Sequence, residues 1–340
     1  MAVTIKDVAK LANVAPSTVS RVIADSPRIS ERTKRIVRAA MEELGYHPNY
    51  HARSLANRST QTIGIIMPSS GNTVFQNPFF PEVIRGISTK AHENGYGLYM
   101  TTGTTQGEIN ESVRNMVKGG RVDGLVLLYS RIGDDLIDFL LEEDFPFTII
   151  GKPYKYQERI VHVDNDNFRA AKDATDYLIA LGHERIGFVG GGLDLVVTMD
   201  RLLGYEKAMR LSGLTYRNDY VVHQEFLEEG GKEAIKTLMS VDEPPTGLVV
   251  ADDLMAFGIV NALTEMGLSV PNDISIISFN NVLIAQLSNP PLTSVDIDIF
   301  QLGYTAVDGL FRLIKKEPPA SNRVTVPHKI IERQSCAPML

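Results

Sequence analysis

Apolar residues recur with the period of an α-helix three times within the first 45 residues. In the first of these segments they follow i, i+3, i+4 and i+7 spacing, at Ile5, Val8, Ala9 and Ala12. Thr4 and Asp7 stand before and within it at N-cap and N3 spacing, and Asn13 after it tolerates the left-handed conformation of a tight turn. The pattern predicts a short helix that begins after Thr4 and ends in a tight turn.

Two further helices are predicted on the same grounds. One runs from about Pro16, which suits the first helical position, to Ala24. Its buried face is expected to comprise Val19, Val22 and Ile23. The next begins after a Ser30 cap and stops at Gly45. Its expected core face comprises Ile36, Val37, Ala40 and Leu44.

The second helix carries a polar face, shared by Ser17, Thr18 and Arg21. Two short helices joined by a tight turn and closed by a third form a helix-turn-helix unit, whose second helix enters the major groove of DNA. Arg21 can donate two hydrogen bonds to a guanine edge there. Any three-helix bundle shows such faces, so periodicity alone leaves a plain bundle as the alternative.

From Thr62 onward, apolar runs alternate with amphipathic segments. The runs TIGIIMP, YGLYMTT, GLVLL and FTII do so in the first half of this region, and RIGFVG, TGLVVA and ISIISF in the second. This alternation predicts parallel sheets with helices on both faces. The expected fold is therefore a small all-α helix-turn-helix DNA-binding domain plus a two-lobed α/β body with two doubly wound parallel sheets, in which a ligand binds beyond the carboxyl ends of the strands.

Charge is divided unevenly along the chain. The first 60 residues contain ten Lys or Arg and five Asp or Glu, a net charge of +5, whereas the other 280 residues carry −12. A basic head on an acidic body suits a small nucleic-acid-binding module joined to a larger regulatory body. A chance surface imbalance is the alternative.

Several classes of protein find no support in the sequence. It contains no run of 18 apolar residues, its N-terminus lacks the layout of a signal peptide, and Cys336 is its only cysteine. The seven histidines lack metal-ligand spacing, and neither a nucleophile elbow nor a GxGxxG run is found. We expect a cytoplasmic protein that is not an enzyme, with no membrane, metal or cofactor partner.

The first 60 residues resemble the head of the lactose-repressor family of bacterial regulators. The family pattern T-I-x-D-V-A-x-x-A-G-V-S-x-x-T-V-S-R-V is matched at Thr4, Ile5, Asp7, Val8, Ala9, Ala12, Val14, Thr18, Val19, Ser20, Arg21 and Val22. The resemblance implies DNA contacts by Thr4, Pro16, Ser17, Thr18 and Arg21. Asn13 replaces the usual turn glycine, and Ala15 replaces the usual capping serine, a change that costs the recognition helix about 1 kcal/mol.

The family places a hinge after this head. The segment from Asn49 to Asn57 fits a helix of barely two turns, too short to persist alone in water. In the family such segments pair on DNA and push a leucine into the minor groove, a position that Leu55 occupies here, with Asn49 and Arg53 beside it. A linker leucine packed on the core is the alternative. The implied domains are a DNA-binding head at 1–48, a hinge at 49–60 and a periplasmic-binding-protein-like body at 61–340.

The resemblance extends over essentially the whole chain, through runs such as NPFFPEVIRGI and TGLVVADDLMAFG. It implies three crossings between the lobes, placed near 160, 290 and 321. The N-lobe would then comprise about 61–160 and 290–320, and the C-lobe about 161–289 and 321–340. The implied effector-binding residues are Ser69, Asn77, Phe79, Lys152, Arg201, Asp252 and Asn280.

Some of these positions have a plainer interpretation. Arg201 is expected to open a helix and bind ligand hydroxyls, with a surface ion pair as its alternative role. Asn280 stands where the family usually has aspartate. Phe75, Phe79 and Phe80 are the candidates for stacking on a sugar ring, with core packing as the alternative for Phe80.

The expected function is that of a homodimeric repressor of a sugar-utilisation operon, which binds a near-palindromic operator and a small-molecule sugar effector. The runs TIIGKP, LYMTTG, VDNDN and VTMDRLLGYEKAM resemble the maltose-operon repressors of Gram-positive bacteria, which implies maltose or a maltodextrin. Three alternatives stay open: a carbon-catabolite regulator with a phosphorylated carrier protein as corepressor, a sugar transport receptor, and a sugar-modifying enzyme.

Overall fold

The computed structural model describes residues 3–46, 59–68, 74–101, 103, 105–319 and 321–339. The chain divides into two compact units, a head of residues 1–60 and a body of residues 61–340. The predicted DNA contacts Asn49, Arg53 and Leu55 and the predicted effector contact Ser69 lie outside the described residues. Within the described part of the chain, no helix is long and apolar enough to cross a membrane.

Residues 3–46 of the head form three helices, α1 (Ile5–Leu11), α2 (Pro16–Ile23) and α3 (Glu31–Glu43). The two predicted turn residues adopt left-handed backbone conformations, with φ of 51° at Asn13 and 60° at Gly45. The Ser30 hydroxyl accepts a hydrogen bond of 3.2 Å from the backbone NH of Thr33, as a helix cap does. The core of the head consists of Val8, Ala9, Ala12, Val19, Val22, Val37 and Ala40.

The prediction that Ile36 belongs to this core is wrong. Ile36 is 45% exposed, while the neighbouring Val37 is fully buried. On α3 the inward positions are Val37, Ala40, Met41 and Leu44, which follow i, i+3, i+4 and i+7 spacing. One residue turns a helix by about 100°, so Ile36 falls beside that stripe rather than on it.

The body contains two six-stranded sheets. Among the described residues, the elements up to the first crossing are β1 (Thr62–Ile66), α4 (Phe79–Glu93), β2 (Gly97–Met100), α5 (Gln106–Lys118), β3 (Gly124–Leu127), α6 (Asp135–Glu142), β4 (Phe147–Ile150) and β5 (His162–Asp164). Those that follow are α7 (Asn167–Ala180), β6 (Ile186–Gly190), α8 (Val196–Leu211), β7 (Val221–His223), α9 (Glu228–Met239), β8 (Gly247–Val250), α10 (Asp253–Glu265), β9 (Ser275–Phe279), α11 (Leu283–Leu287) and β10 (Thr293–Asp296). The last are α12 (Ile299–Ile314), β11 (Arg323–Thr325) and β12 (Lys329–Ile331).

The strand order confirms two doubly wound sheets. The first sheet has the order β11-β5-β4-β3-β1-β2, and all its pairs are parallel. The second has the order β12-β10-β9-β8-β6-β7, in which only the β10–β12 pair is antiparallel. We call the part built on the first sheet the N-lobe and the part built on the second sheet the C-lobe. Parallel strands buried on both faces explain the nearly continuous apolar runs of the sequence.

The chain crosses between the lobes a few residues later than the predicted positions near 160, 290 and 321. Strand β5 still belongs to the N-lobe, and β10 to the C-lobe, so the crossings lie at 165–166, 297–298 and 326–328. Helix α12 then returns to the N-lobe, where it packs on α4 and on β3, β4 and β5. The segment 290–296 therefore belongs to the C-lobe, because its strand continues the second sheet.

Candidate functional site

The outer face of α2 is free to contact another molecule. Pro16, Ser17 and Arg21 are exposed, and Thr18 is half-buried. Among residues 3–46, none forms a hydrogen bond or ion pair with the Arg21 side chain. A guanidinium in this position can donate its full set of hydrogen bonds to a partner.

Thr4 is engaged at the start of α1. Its backbone NH and its Oγ1 donate hydrogen bonds of 2.9 and 2.7 Å to Oδ2 of Asp7. These hydrogen bonds lower the pKa of Asp7. Thr4 and Asp7 therefore cap α1, as their N-cap and N3 spacing predicts. The DNA contact that the family resemblance implies for Thr4 stays a prediction.

An ion-pair cluster that the sequence analysis missed joins α3 to the end of α2. Asp25, at a φ of 50°, accepts contacts of 2.9 Å from both Lys34 Nζ and Arg38 Nη2, and Lys34 also lies 3.0 Å from Glu31. Lys34 and Arg38 therefore form ion pairs with acidic side chains of the head. Part of the positive charge of the head thus stabilises its own fold.

In the body, the carboxyl edges of the two sheets enclose a cavity of about 150 Å³. Both lobes contribute to its walls, the N-lobe from the ends of β3, β4 and β5 and the C-lobe from α8 and the ends of β8 and β9. The structure brings six predicted effector residues together around it, namely Asn77, Phe79, Lys152, Arg201, Asp252 and Asn280.

Asp252 links the two lobes across this cavity. Its Oδ2 accepts hydrogen bonds of 2.9 Å from Asn77 Nδ2 of the N-lobe and of 2.8 Å from Asn280 Nδ2 of the C-lobe. Its Oδ1 caps α10 by accepting from the backbone NH of Leu254 at 2.8 Å. Burial raises the pKa of Asp252 to about 6 in spite of these donors.

The loop that carries Asn280 is held by a second buried carboxylate. Asp253 accepts hydrogen bonds from Ser278 Oγ at 2.5 Å, from Ser294 Oγ at 2.7 Å and from the backbone NH of Val282 at 2.8 Å. Burial raises its pKa to about 7. These contacts stabilise the positive φ of 105° at Asn280. In this conformation the side-chain amide of Asn280 faces Asp252.

Arg201 lies in the second turn of α8, so the prediction that it opens the helix is wrong. Its guanidinium is buried 4.2 Å above the ring of Phe279. Nε donates to Asn167 Oδ1 at 2.9 Å, and Nη1 donates to the carbonyl of Ala251 at 2.6 Å. This environment rules out the surface ion pair considered above and leaves a rigid guanidinium in the cavity wall.

The remaining charged groups of the cavity are an ion pair between the lobes and a buried acid. Lys152 Nζ of the N-lobe lies 3.1 Å from Asp200 Oδ1 of the C-lobe. Asp164 accepts a hydrogen bond of 2.9 Å from Asn167 Nδ2, and burial together with the nearby Asp200 raises its pKa to about 7. With Asp252, the described lining residues include three acidic and two basic side chains, and the raised pKa values of Asp164 and Asp252 bring the charge of the cavity close to balance.

Several residues of the cavity were not predicted from the sequence. They are Tyr129, Ser130, Asp164, Asn167, Asp200 and Phe226. Tyr129, Ser130 and Asp164 stand at or just after strand ends, which was a usable signal. Phe75 was wrongly grouped with the stacking residues, because it is 48% exposed and does not line the cavity, whereas Phe79 and Phe80 do.

Comparison with known proteins agrees with this architecture. Residues 4–49 match the family model for bacterial regulatory proteins of the lacI family, and residues 175–336 match a periplasmic binding protein-like domain. An HTH-type transcriptional regulator MalR from Streptococcus pneumoniae serotype 4 is 43% identical, over 98% of this chain and the full length of that protein. The chain belongs to the LacI family of transcriptional regulators.

Other members of the LacI family match over nearly the same length. Catabolite control protein A from Priestia megaterium is 34% identical, over 98% of this chain and 99% of that protein. A CelR–cellobiose complex superposes with a TM-score of 0.77 at 30% identity, over 98% of this chain and all of that one. A lac repressor dimer bound to operator and the anti-inducer ONPF gives a TM-score of 0.87 at 25% identity, over 99% of this chain and all of that one. MalR and CelR are named as transcriptional regulators, as expected for a chain predicted not to be an enzyme.

Proposed function

We propose that this LacI-family regulator is a homodimeric repressor of a sugar-utilisation operon. The head reads a near-palindromic operator through Pro16, Ser17, Thr18 and Arg21, and a maltose-type sugar binds in the cavity of the body. The similarity to MalR and to a dimeric, operator-bound lac repressor supports the operator and the dimer. Two heads need a two-fold axis to read two half-sites of a palindrome.

The composition of the cavity carries the sugar proposal. Both of its cationic side chains are engaged, Lys152 with Asp200 and Arg201 with Asn167 and the Ala251 carbonyl. Neither cation is therefore left among the described lining residues to bind a phosphate or carboxylate group, while amides, carboxylates and hydroxyls suit a ligand with many OH groups. Phe79 and Phe226 add apolar faces. An uncharged saccharide is therefore favoured over a sugar phosphate.

The experiment is a thermal-shift panel followed by calorimetry on the full chain. Maltose, maltotriose, cellobiose, glucose and maltose 6-phosphate are compared, and a ligand raises the melting temperature by mass action. Operator binding is then measured by fluorescence anisotropy with and without the sugar that binds. Tight binding of a phosphorylated sugar, or operator affinity that no bound sugar changes, would contradict the proposal.

A phosphorylated carrier protein as corepressor is the second candidate, favoured by the similarity to catabolite control protein A. It requires a group of unpaired Arg or Lys on the surface of the body to hold the phosphate. Tightened operator binding in the presence of the phosphorylated, but not the unphosphorylated, carrier would support this candidate without any sugar.

A further inference from the structure

A short strap of backbone hydrogen bonds joins the lobes at one wall of the cavity. The segment after β3 (residues 130–132) belongs to the N-lobe, and the segment that leads into α8 (residues 194–196) belongs to the C-lobe. The Ser130 carbonyl accepts from the NH of Val196 at 3.1 Å, and the NH of Ile132 donates to the carbonyl of Asp194 at 2.9 Å. Between them Arg131 and Leu195 form an antiparallel β-bridge.

Side chains reinforce this strap. Arg131 Nε lies 3.2 Å from Asp194 Oδ2 across the two lobes, an ion pair that lacks hydrogen-bond geometry. Arg131 Nη1 also donates to Gln106 Oε1 at 2.7 Å, and Gln106 Nε2 donates to Tyr129 Oη at 3.1 Å. The Arg131 side chain that pairs with Asp194 is thus also held by Gln106 of its own lobe. The strap can form only while the two lobes are close together.

Ser130 lies on both the strap and the cavity. It lines the cavity and is 7% exposed, and its carbonyl is one of the strap acceptors. Its Oγ is buried and has no hydrogen-bond partner among the described residues. A buried hydroxyl without a partner is unfavourable, and a ligand hydroxyl is a partner that removes this cost.

We propose that Ser130 is a ligand-binding residue that couples sugar occupancy to closure of the strap. Its hydroxyl binds a hydroxyl of the saccharide while its carbonyl holds Val196 of the opposite lobe. The backbone amides of Ile132 and Val196, together with the Arg131–Asp194 ion pair, then retain the bound sugar. This inference rests on the proposed function for the class of ligand, but the strap itself does not depend on it.

Calorimetry with maltose tests the Ser130 contact. Ser130→Ala should weaken maltose binding by about 3- to 10-fold, the worth of one neutral hydrogen bond. Ser288→Ala is the matched control, because Ser288 Oγ is also buried without a partner among the described residues but does not line the cavity. Equal maltose affinity in wild type and Ser130→Ala would overturn the contact.

Hydrogen exchange tests the strap independently of any sugar. The amides of Ile132 and Val196 should exchange more slowly in the wild type than in Arg131→Ala or Asp194→Ala, and the double variant should add nothing to either single one. Lys236→Ala, which breaks the surface pair with Glu233, is the control. Equal exchange in wild type and Arg131→Ala would overturn the strap.

Calorimetry and hydrogen exchange test the sugar contact and the strap separately. If the wild type binds no saccharide but its strap amides are protected, the proposed effector is wrong and the strap stands. If maltose binds, its dissociation rate should rise several-fold in Arg131→Ala with little change in its association rate, because the strap retains ligand rather than admitting it. An unchanged dissociation rate would contradict its retaining role.

Discussion

Asn77 Nδ2 of the N-lobe lies 2.9 Å from Asp252 Oδ2 of the C-lobe, and the same nitrogen lies 3.0 Å from the carbonyl oxygen of Phe226. One amide group thus holds two groups of the opposite lobe at the wall of the cavity. Because one of its acceptors is a buried carboxylate, this contact is worth more than a neutral hydrogen bond, about 1.5–3 kcal/mol. We therefore expect Asn77→Ala to weaken sugar binding at least 10-fold in calorimetry.

Two further variants make this prediction specific. Asn94→Ala, at the other end of α4, removes an amide whose one hydrogen bond among the described residues is to the Lys90 carbonyl, and it should leave sugar affinity unchanged. Asn77→Asp places a carboxylate against Asp252, whose pKa is about 6, so its affinity should recover as the pH falls toward 5.5 and one carboxyl takes up a proton. If the sugar affinity of Asn77→Asp does not change with pH, the contact between Asn77 and Asp252 is contradicted.

Removal of the Arg201 side chain should affect both stability and sugar binding. Arg201→Ala leaves Asn167 Oδ1 and the Ala251 carbonyl without their donor and opens a space beside Phe279. We expect a loss of about 3–5 kcal/mol in the free energy of unfolding and no measurable sugar binding. The sugar-free operator affinity should stay nearly intact at temperatures where the body is folded.

Thermal unfolding and calorimetry on the same samples check this. Arg201→Lys keeps the charge but loses the planar fork, so it should retain more stability than Arg201→Ala and still bind sugar poorly. A wild-type melting temperature together with wild-type sugar affinity in Arg201→Ala would show that the cavity is not the effector site.

Substitution of Arg21 should relax sequence preference. The side chain is exposed on α2, and no partner within residues 3–46 competes for it. Arg21→Ala should cost roughly 1–3 kcal/mol at one base pair in each half-site. Anisotropy titrations with the operator and with random duplex measure the two affinities, and Arg121→Ala in the body serves as the control. An equal loss on both duplexes would reject base reading by Arg21.

How far the sequence predicts this molecule depends on how local the signal is. Asn13, Pro16, Ser30 and Gly45 act through their own backbone or immediate neighbours, so the ends of the head helices were predictable. Ile36 was misplaced because an apolar residue beside a helical stripe looks like part of it until packing decides.

Features that depend on distant contacts were harder to predict. Strands β5 and β7 are three residues long and give no periodic signal, and helix α12 was not predicted at all. The crossings were placed too early because only pairing shows that β10 continues the second sheet. The family resemblance implied that Arg201 and Asp252 bind the effector, and both line the cavity. Their partners Asn167, Phe279 and Asn77 become evident only in three dimensions.

The buried carboxyl of Asp253 should make stability depend on pH. Its pKa is about 7 in the folded chain, against a usual value of 3.8, so the folded state binds this proton more tightly than the unfolded chain. Its contribution to stability is fully present below about pH 4 and is lost as the pH rises through 7. Asp253→Asn mimics the protonated carboxyl, and its melting temperature relative to the wild type should therefore rise between pH 5 and pH 8.

An exposed aspartate supplies the opposite control. The pKa of Asp273 is lowered from its usual 3.8 by the backbone NH and hydroxyl of Ser269, so its contribution is fully present above that usual value and is lost as the pH falls through the lowered one. Asp273→Asn should therefore lower the melting temperature more at pH 7 than at pH 3. If Asp253→Asn follows the same pH trend as Asp273→Asn, the assigned protonation of Asp253 is wrong.

Helices α4 and α12 pack in backbone contact, which requires glycine at two facing positions. A Cβ on Gly86 would lie 2.1 Å from the carbonyl oxygen of Phe300, and a Cβ on Gly303 would lie 2.2 Å from that of Val83. Both obstacles are helix backbone, so the helices themselves must move apart. Gly303→Ala should therefore lower the free energy of unfolding by about 1–3 kcal/mol, the usual cost of overpacking.

In Gly107→Ala, on α5, the added Cβ meets nothing closer than 4.0 Å, so this control should be neutral or slightly stabilising. Denaturant unfolding of the two variants measures both effects, and a stabilising Gly303→Ala would show that the two helices are not in backbone contact.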